Sequence, residues 1–301
     1  MMKNILFSAA AAALFLISAC KKDERNIEQF DNDNIQAYIR SNNLDVQQLG
    51  NTGIYYQVVS EGTGDSIRFD RQIPIIYSLR SLDGSYVNND TIRTRFANFF
   101  GYFTPDSLRN VIKNGLVREG GVIRVLMPSR FAYKTEGVKN GVPGNASLDY
   151  TFHVLNTKAL TSYNDAVIQK YMQANSLTGF TRTASGLYYK IGSVGGDTTI
   201  RTTSTVNAIY TGKLLNGEVF DSPTSSIAFL LSGTIPGWIE GLQLIRSGGS
   251  IRLIIPPTLA YGNIGSTNPQ TGSIIIPPFS TLDFDINISS VTNTDDGVTE
   301  E

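Results

Sequence analysis

Between residues 159 and 295 the apolar positions switch between two periods. Val167, Ile168, Tyr171 and Met172 recur at helical spacing, and Ser162 followed by Asp165 predicts a capping box at the start of that helix. Leu187 to Ile191 reads as a strand, and the Gly195-Gly196-Asp197 turn leads towards another. Val206 to Leu214 alternates in part, Asn216-Gly217 is a strong two-residue hairpin signal, and Val219 to Ser222 returns. Ile227 to Leu231 predicts a further strand. Pro236 stands where helices accept a first-turn proline, and Trp238, Leu242 and Ile245 follow at i, i+4 and i+7, with Gly248 as the predicted stop. Ile251 to Ile255 and Leu282 to Val291 complete the set as strands. The pattern predicts an antiparallel sheet with one short helix on its face, an α+β arrangement.

The same pattern occurs earlier in the chain. Tyr38 matches Tyr171, Leu44 matches Leu177, Gly53 matches Gly186 and Tyr56 matches Tyr189, all at an offset of 133 positions. The offset also carries Tyr77 to Tyr210 and Gly84 to Gly217. It drifts to 128 where Gly120-Gly121 meets Gly248-Gly249 and Ala132-Tyr133 meets Ala260-Tyr261. It ends at 134 where Leu148-Asp149-Tyr150 meets Leu282-Asp283-Phe284. Drifts of this size are loop insertions and deletions within one plan. The chain is therefore expected to hold two tandem domains of one fold, at residues 28–158 and 159–295, with a flexible tail at 296–301.

The first nineteen residues follow neither pattern. Lys3 gives a positive start, an apolar run follows to Ile17, and Ser18 and Ala19 are small. This is the layout of a secretory signal peptide, with an apolar run too short to span a bilayer comfortably. Leu16-Ile17-Ser18-Ala19-Cys20 resembles a bacterial lipobox, which implies cleavage before Cys20 and lipidation of its thiol. Acyl chains contribute about 0.8 kcal/mol per buried CH₂, so several chains on one Cys anchor a protein stably. Residues 20–27 then form a charged tether. By resemblance to lipoprotein sorting signals, the lack of Asp after Cys20 implies an outer-membrane lipoprotein of the cell envelope, periplasmic or surface-exposed.

Composition narrows the chemistry. The chain of 301 residues has 41% hydrophobic residues, enough for packed cores, and a net charge of −1, which gives no electrostatic reason to expect nucleic acid as a partner. Its single Cys rules out an intramolecular disulfide. Its single His rules out a His-based metal cluster or a Ser–His machine in each domain. No cofactor is expected.

Tyr210-Thr211-Gly212, Gly217, Phe220-Asp221-Ser222, Gly237-Trp238, Gly241, Gly248, Ala260-Tyr261-Gly262, Ile276-Pro277-Pro278, and Leu282 with Phe284 occur in a specific order and spacing. In that order they resemble the FKBP-type peptidyl-prolyl cis-trans isomerases, over about residues 186–288. The resemblance implies a twisted antiparallel sheet wrapped round a short helix, with a shallow apolar pocket between them. It places Trp238 as the pocket floor and Tyr210, Phe220, Ile235, Ile276 and Phe284 as walls. Thr234 takes a wall position usually held by Val, and Ile227 one often held by Phe. Asp221 is implied as a polar rim partner, Tyr261 as a hydroxyl donor to a bound peptide carbonyl, and the Ile276 backbone N–H as a second donor. The implied partners are proline-containing polypeptides, and macrolide inhibitors are further candidate ligands. The segment between Tyr261 and Ile276 is longer than in the shortest family members, which bears on substrate preference.

Elementary chemistry agrees with those roles. Rotation about an Xaa–Pro amide meets a barrier of about 18–20 kcal/mol because resonance must be broken. A pocket that holds the ring and favours the twisted amide lowers it by differential binding, without a nucleophile or metal.

The first repeat departs from this pattern. Phe220 becomes Val87, Asp221 becomes Asn88, Pro278 becomes Gly144, and Trp238 aligns near Asn110, with no Trp in this repeat. The expectation is a retained core without a ring-binding floor. Residues 91–102 read as an aromatic and basic insertion, either a flap on its own domain or a surface for unfolded chains. His153 is expected to be structural. Asp31-Asn32-Asp33-Asn34 lacks the spacing of a calcium loop and is expected to lead into a helix cap. Two functions stay open for the whole chain: an anchored isomerase active in its second domain, or a non-catalytic polypeptide-binding chaperone or scaffold of an envelope machine.

Overall fold

The computed structural model describes residues 26–91 and 94–293. Residues 1–25, with the expected signal peptide and Cys20, residues 294–301, with the expected tail, and Ile92 and Arg93 lie outside the described residues. The first unit runs α1 (Ile27–Ser41), β1 (Gln47–Gln48), β2 (Tyr55–Ser60), β3 (Gln72–Ser81), β4 (Val87–Asn88), β5 (Thr94–Phe99), α2 (Asp106–Leu116), β6 (Val122–Met127) and β7 (Leu148–Val154). The second runs α3 (Leu160–Ala174), β8 (Thr181–Arg182), β9 (Tyr188–Ser193), β10 (Thr205–Leu214), β11 (Val219–Asp221), β12 (Ile227–Leu230), α4 (Pro236–Leu242), β13 (Ser250–Ile255), β14 (Ser266–Thr267), β15 (Ile274–Ile276) and β16 (Leu282–Thr292).

Both units form a seven-stranded antiparallel sheet of the same order. The first is β1-β2-β6-β7-β3-β4 with β5 also on β3, and the second is β8-β9-β13-β16-β10-β11 with β12 also on β10. The registers coincide as well: Tyr77 pairs with Phe152 and Tyr210 with Ile286, while Leu79 pairs with Tyr150 and Gly212 with Phe284. The fold is α+β with a short helix against each sheet. Among the described residues no helix is long and apolar enough to cross a membrane.

Alternation along the central strands serves two cores at once. In β13, Ile251, Leu253 and Ile255 face the main core with Trp238 and Leu242 of α4, whereas Ile254 faces the other way, onto Ile168 and Tyr171 of α3. In β6, Ile123, Val125 and Met127 meet α2, and Leu126 meets Ile35 and Tyr38 of α1. Each leading helix is pinned by a buried tyrosine. The Tyr171 hydroxyl donates to Asp283 Oδ2 at 2.6 Å, and Arg252 grips both oxygens of that carboxylate at 2.9 and 2.7 Å. Tyr38 and Arg124 hold Asp149 in the same way. Burial pushes the Asp283 carboxyl up, but the hydrogen bonds and charge of Arg252 and Tyr171 outweigh it, so it stays below the usual carboxylate range.

Several local expectations are corrected. α3 begins at Leu160, two residues before Ser162, so Ser162 and Asp165 lie inside the helix and form no capping box; Asp165 instead accepts from Arg182 and Tyr188. α1 likewise begins before the Asp31–Asn34 run: its cap is Asn26, whose side chain accepts from the Gln29 N–H. Asp31 is fully buried and accepts from Ser147 Oγ. α4 ends at Leu242, short of Gly248, because the chain tightens through Leu244 N–H to Gly241 O and Ile245 N–H to Leu242 O bonds. Gly248, at φ 76°, serves the turn into β13. The turn at Gly195 leads only to a single bridge, Thr199 to Arg246. Residues 91–102 are not an inserted flap, since Thr94–Phe99 is β5, the counterpart of β12 on the same edge of the sheet.

Candidate functional site

A cleft of about 490 Å³ opens in the second unit between β10, β11, β12, the N-terminus of α4 and the β16 edge. Its sides begin with a glycine. A Cβ on Gly212 would stand 2.5 Å from Phe284 and 2.7 Å from Phe220, so only glycine lets both rings close over β10. β11 then turns Phe220 inward by a bulge: Gly212 pairs with Asp221 and Lys213 with Val219, leaving Phe220 as the extra residue. Pro236 opens α4, fixing the helix start so that its third residue, Trp238, lies under the cleft at 5% exposure.

The rings meet edge to face, the arrangement their quadrupoles favour. Trp238 lies 4.9 Å from Tyr210 and 5.1 Å from Phe284, with interplanar angles of 89° and 80°, and Phe220 meets Phe284 at 5.5 Å and 85°. The indole Nε1 of Trp238 is buried without a hydrogen-bond partner. At the rim the Tyr210 hydroxyl donates to Asp221 Oδ2 at 2.6 Å. Burial, then the Asp221 hydrogen bond and charge, push the Tyr210 phenol well above its ordinary value. Tyr261 lines the same cleft; burial first, and then Asp221, raise its phenol too, so both phenols stay protonated donors near neutral pH.

Of the residues singled out from sequence, Tyr210, Phe220, Asp221, Ile227, Thr234, Ile235, Trp238, Tyr261 and Phe284 all line this cleft. Ile276 does not: it is 3% exposed and belongs to the core beneath. The Thr234 hydroxyl is turned to the Leu231 carbonyl at 2.8 Å, leaving the side chain's methyl group for the wall. Cys20 lies outside the described residues. Sequence reasoning missed Phe229, which lines the cleft and packs on Trp238 at 5.2 Å. Its place two residues beyond Ile227 on one strand, hence on the same face, was the available signal.

The corresponding place in the first unit is filled from within. Leu79 stands where Gly212 stands, and it is 6% exposed. The β3–β4 hairpin carries no bulge: Leu79 pairs with Asn88 and Arg80 with Val87, so Val87 points out at 51% exposure. Counted from the first residue of each helix, the counterpart of Trp238 is Leu108 rather than Asn110. Arg95 covers the remaining space, its guanidinium 5.3 Å from the Tyr77 ring centroid and 2.6 Å from Asn88 Oδ1.

An apolar aromatic cleft with phenol donors and one carboxylate at its rim, set between a twisted sheet and a short helix, suits an apolar ring carried on a hydrogen-bonding chain. Residues 196–289 match the model of the family "FKBP-type peptidyl-prolyl cis-trans isomerase". A probable FKBP-type peptidyl-prolyl cis-trans isomerase of Haemophilus influenzae is 47% identical over 112 residues, covering 36% of this chain and 44% of that protein. The FKBP-type peptidyl-prolyl cis-trans isomerase FkpA of Escherichia coli is 39% identical over 116 residues, covering 38% of this chain and 40% of the relative. The crystal structure of FkpA from Escherichia coli aligns with a TM-score of 0.37 at 35% identity, over 44% of this chain and 61% of that one. The likeness to the FKBP-type family lies in the second unit of the chain. The match spans less than half the length of these two relatives.

Proposed function

We propose that residues 159–295 form a peptidyl-prolyl cis-trans isomerase domain acting on proline-containing polypeptides, and that residues 28–158 form a degenerate domain of the same fold. The observation that carries the reading is the Trp238-floored cleft with the Tyr210–Asp221 pair at its rim. The proline ring rests on Trp238 between Phe220, Ile235 and Phe284. The apolar walls strip water from the amide, and the twisted amide, with its resonance broken, is less polar than the planar one and loses less by that transfer. Tyr261 donates to a peptide carbonyl, while Asp221 orients Tyr210 and shapes the polar rim.

In this reading Cys20 carries a lipid anchor, and the protein serves polypeptides folding in the cell envelope from the outer membrane. A second reading, a holding surface for unfolded chains, draws on the exposed Ile227, Leu230, Ile264 and Ile274 in the same unit. Exchange spectroscopy on a short Xaa-Pro peptide with the full chain separates the two. Catalysis is expected to raise the cis–trans rate far above background, and the holding surface alone to bind unfolded protein with the rate unchanged.

A further inference from the structure

The two units share a groove between the leading helix and the β-hairpin turn, and only one of the grooves is filled. In the first unit it is open, about 440 Å³, lined by Phe30, Asn34, Leu82, Asn145 and Ser147 among others. The same positions in the second unit hold Tyr163, Val167, Leu215, Phe279 and Thr281. There Ile76 and Thr94 of the first unit close the groove down to a void of about 30 Å³. Ile76 and Thr94 are 2% and 5% exposed as a result, whereas Ile209, the second unit's counterpart of Ile76, is 43% exposed.

The filled groove is built for its occupant. Phe279 holds a left-handed backbone at φ 56°, a conformation that asparagine accepts and a bulky residue does not. Its twin, Asn145, has φ 57° and makes the same local hydrogen bond: Asn145 N–H donates to Lys134 O, and Phe279 N–H to Gly262 O at 2.8 Å. The backbone therefore asks for asparagine, and the second unit places a phenyl ring there that lines the contact with Ile76.

What Phe279 holds is the segment behind Tyr261. Gly262 receives the Phe279 N–H, Gly265 N–H donates to Tyr261 O, and the side chain of the intervening Asn263 donates to Gln72 Oε1 of the first unit at 3.0 Å. We propose that the first unit is a brace that fixes the Tyr261 segment of the second, with Phe279 as the positioning residue through which it acts. The functional half of this rests on Tyr261 meeting the bound peptide, as argued above.

Amide hydrogen exchange on the full chain tests the brace without relying on activity. In Phe279→Asn, and separately in Ile76→Asn, the amides of residue 279 and of Gly265 should exchange about 10-fold faster. Phe279→Tyr, which keeps the ring, should leave them slow. The urea midpoint of Phe279→Asn read by Trp238 fluorescence should hold or rise, because asparagine suits the backbone, while kcat/KM on an Xaa-Pro peptide falls about 5-fold. Unchanged exchange in Ile76→Asn overturns the brace even if Phe279→Asn exchanges faster, since the effect would then be local to the second unit. A wild-type chain without isomerase activity sinks the isomerase reading instead, and the exchange rates still decide the brace.

Discussion

The two units have the same strand order, matching register where their central strands meet, and the same tyrosine–aspartate–arginine clasp on their leading helices, yet among the described residues only the second holds an aromatic cleft. The difference lies in a few atoms around one hairpin. In the second unit a glycine and a one-residue bulge let Phe220 turn inward. In the first, Leu79 occupies that space, the hairpin pairs without a bulge, and Arg95 lies across Tyr77. A fold can thus be shared through its buried clasp and core while the packing of one edge decides whether a cleft opens.

The clasp gives the largest predicted effect. Arg252→Ala leaves the Asp283 carboxylate buried with its main partner gone, which should cost about 3 kcal/mol or more. The only Trp lies in the second unit, so urea unfolding followed by its fluorescence reads that unit. Arg124→Ala should leave this transition in place, and an equal shift would show that the two units unfold as one. Gly212→Leu, which installs the first unit's residue, should overpack the cleft by about 1–3 kcal/mol and cut peptide turnover up to about 100-fold. Full turnover in a folded Gly212→Leu protein would break the comparison. Asp221→Asn, again the twin's residue, replaces a charge-assisted hydrogen bond with a neutral one and should lower kcat/KM about 5-fold. It should also let the Tyr210 phenol ionise at lower pH than in the wild type, visible by difference absorbance in alkali.

The smallest effect is one of pH, and it belongs to the first unit. Burial lowers the His153 pKa below its ordinary value, so the unfolded chain binds the proton more readily than the native one. Stability therefore falls as pH drops below about 6.5 through that window. Amides of β7 should lose protection between pH 7 and 5.5 while those of β16 do not, and His153→Gln should remove the difference.

The duplicated plan was legible because it is a matter of type and spacing, and most cleft residues were legible through the motifs that resemble the FKBP-type family. Phe220, Asp221 and Trp238 differ visibly from the residues aligned with them, whereas Tyr210 keeps a tyrosine twin in Tyr77, and strand alternation reports which face a residue takes. What stayed hidden was one-residue geometry. The bulge that turns Phe220 leaves no mark in composition, and Val87 aligns with Phe220 although it points the other way. Residues 91–102 read as an insertion because their aromatic and basic side chains obscured a plain edge strand. The buried Asp31 and the early start of α3 were missed for a related reason. Polar residues signal caps on average, but here they meet specific tertiary partners such as Ser147 and Arg182.

The central claim is that the Trp238 cleft, and not its twin, turns prolyl bonds. The most direct test is the cis–trans exchange rate of an Xaa-Pro peptide with the full chain, compared between Phe220→Ala and Val87→Ala proteins matched for folding. The account predicts strong catalysis by the wild type, a loss of about 10-fold or more in Phe220→Ala and no change in Val87→Ala. A wild-type rate equal to background, or equal rates in the wild type and Phe220→Ala, would contradict it.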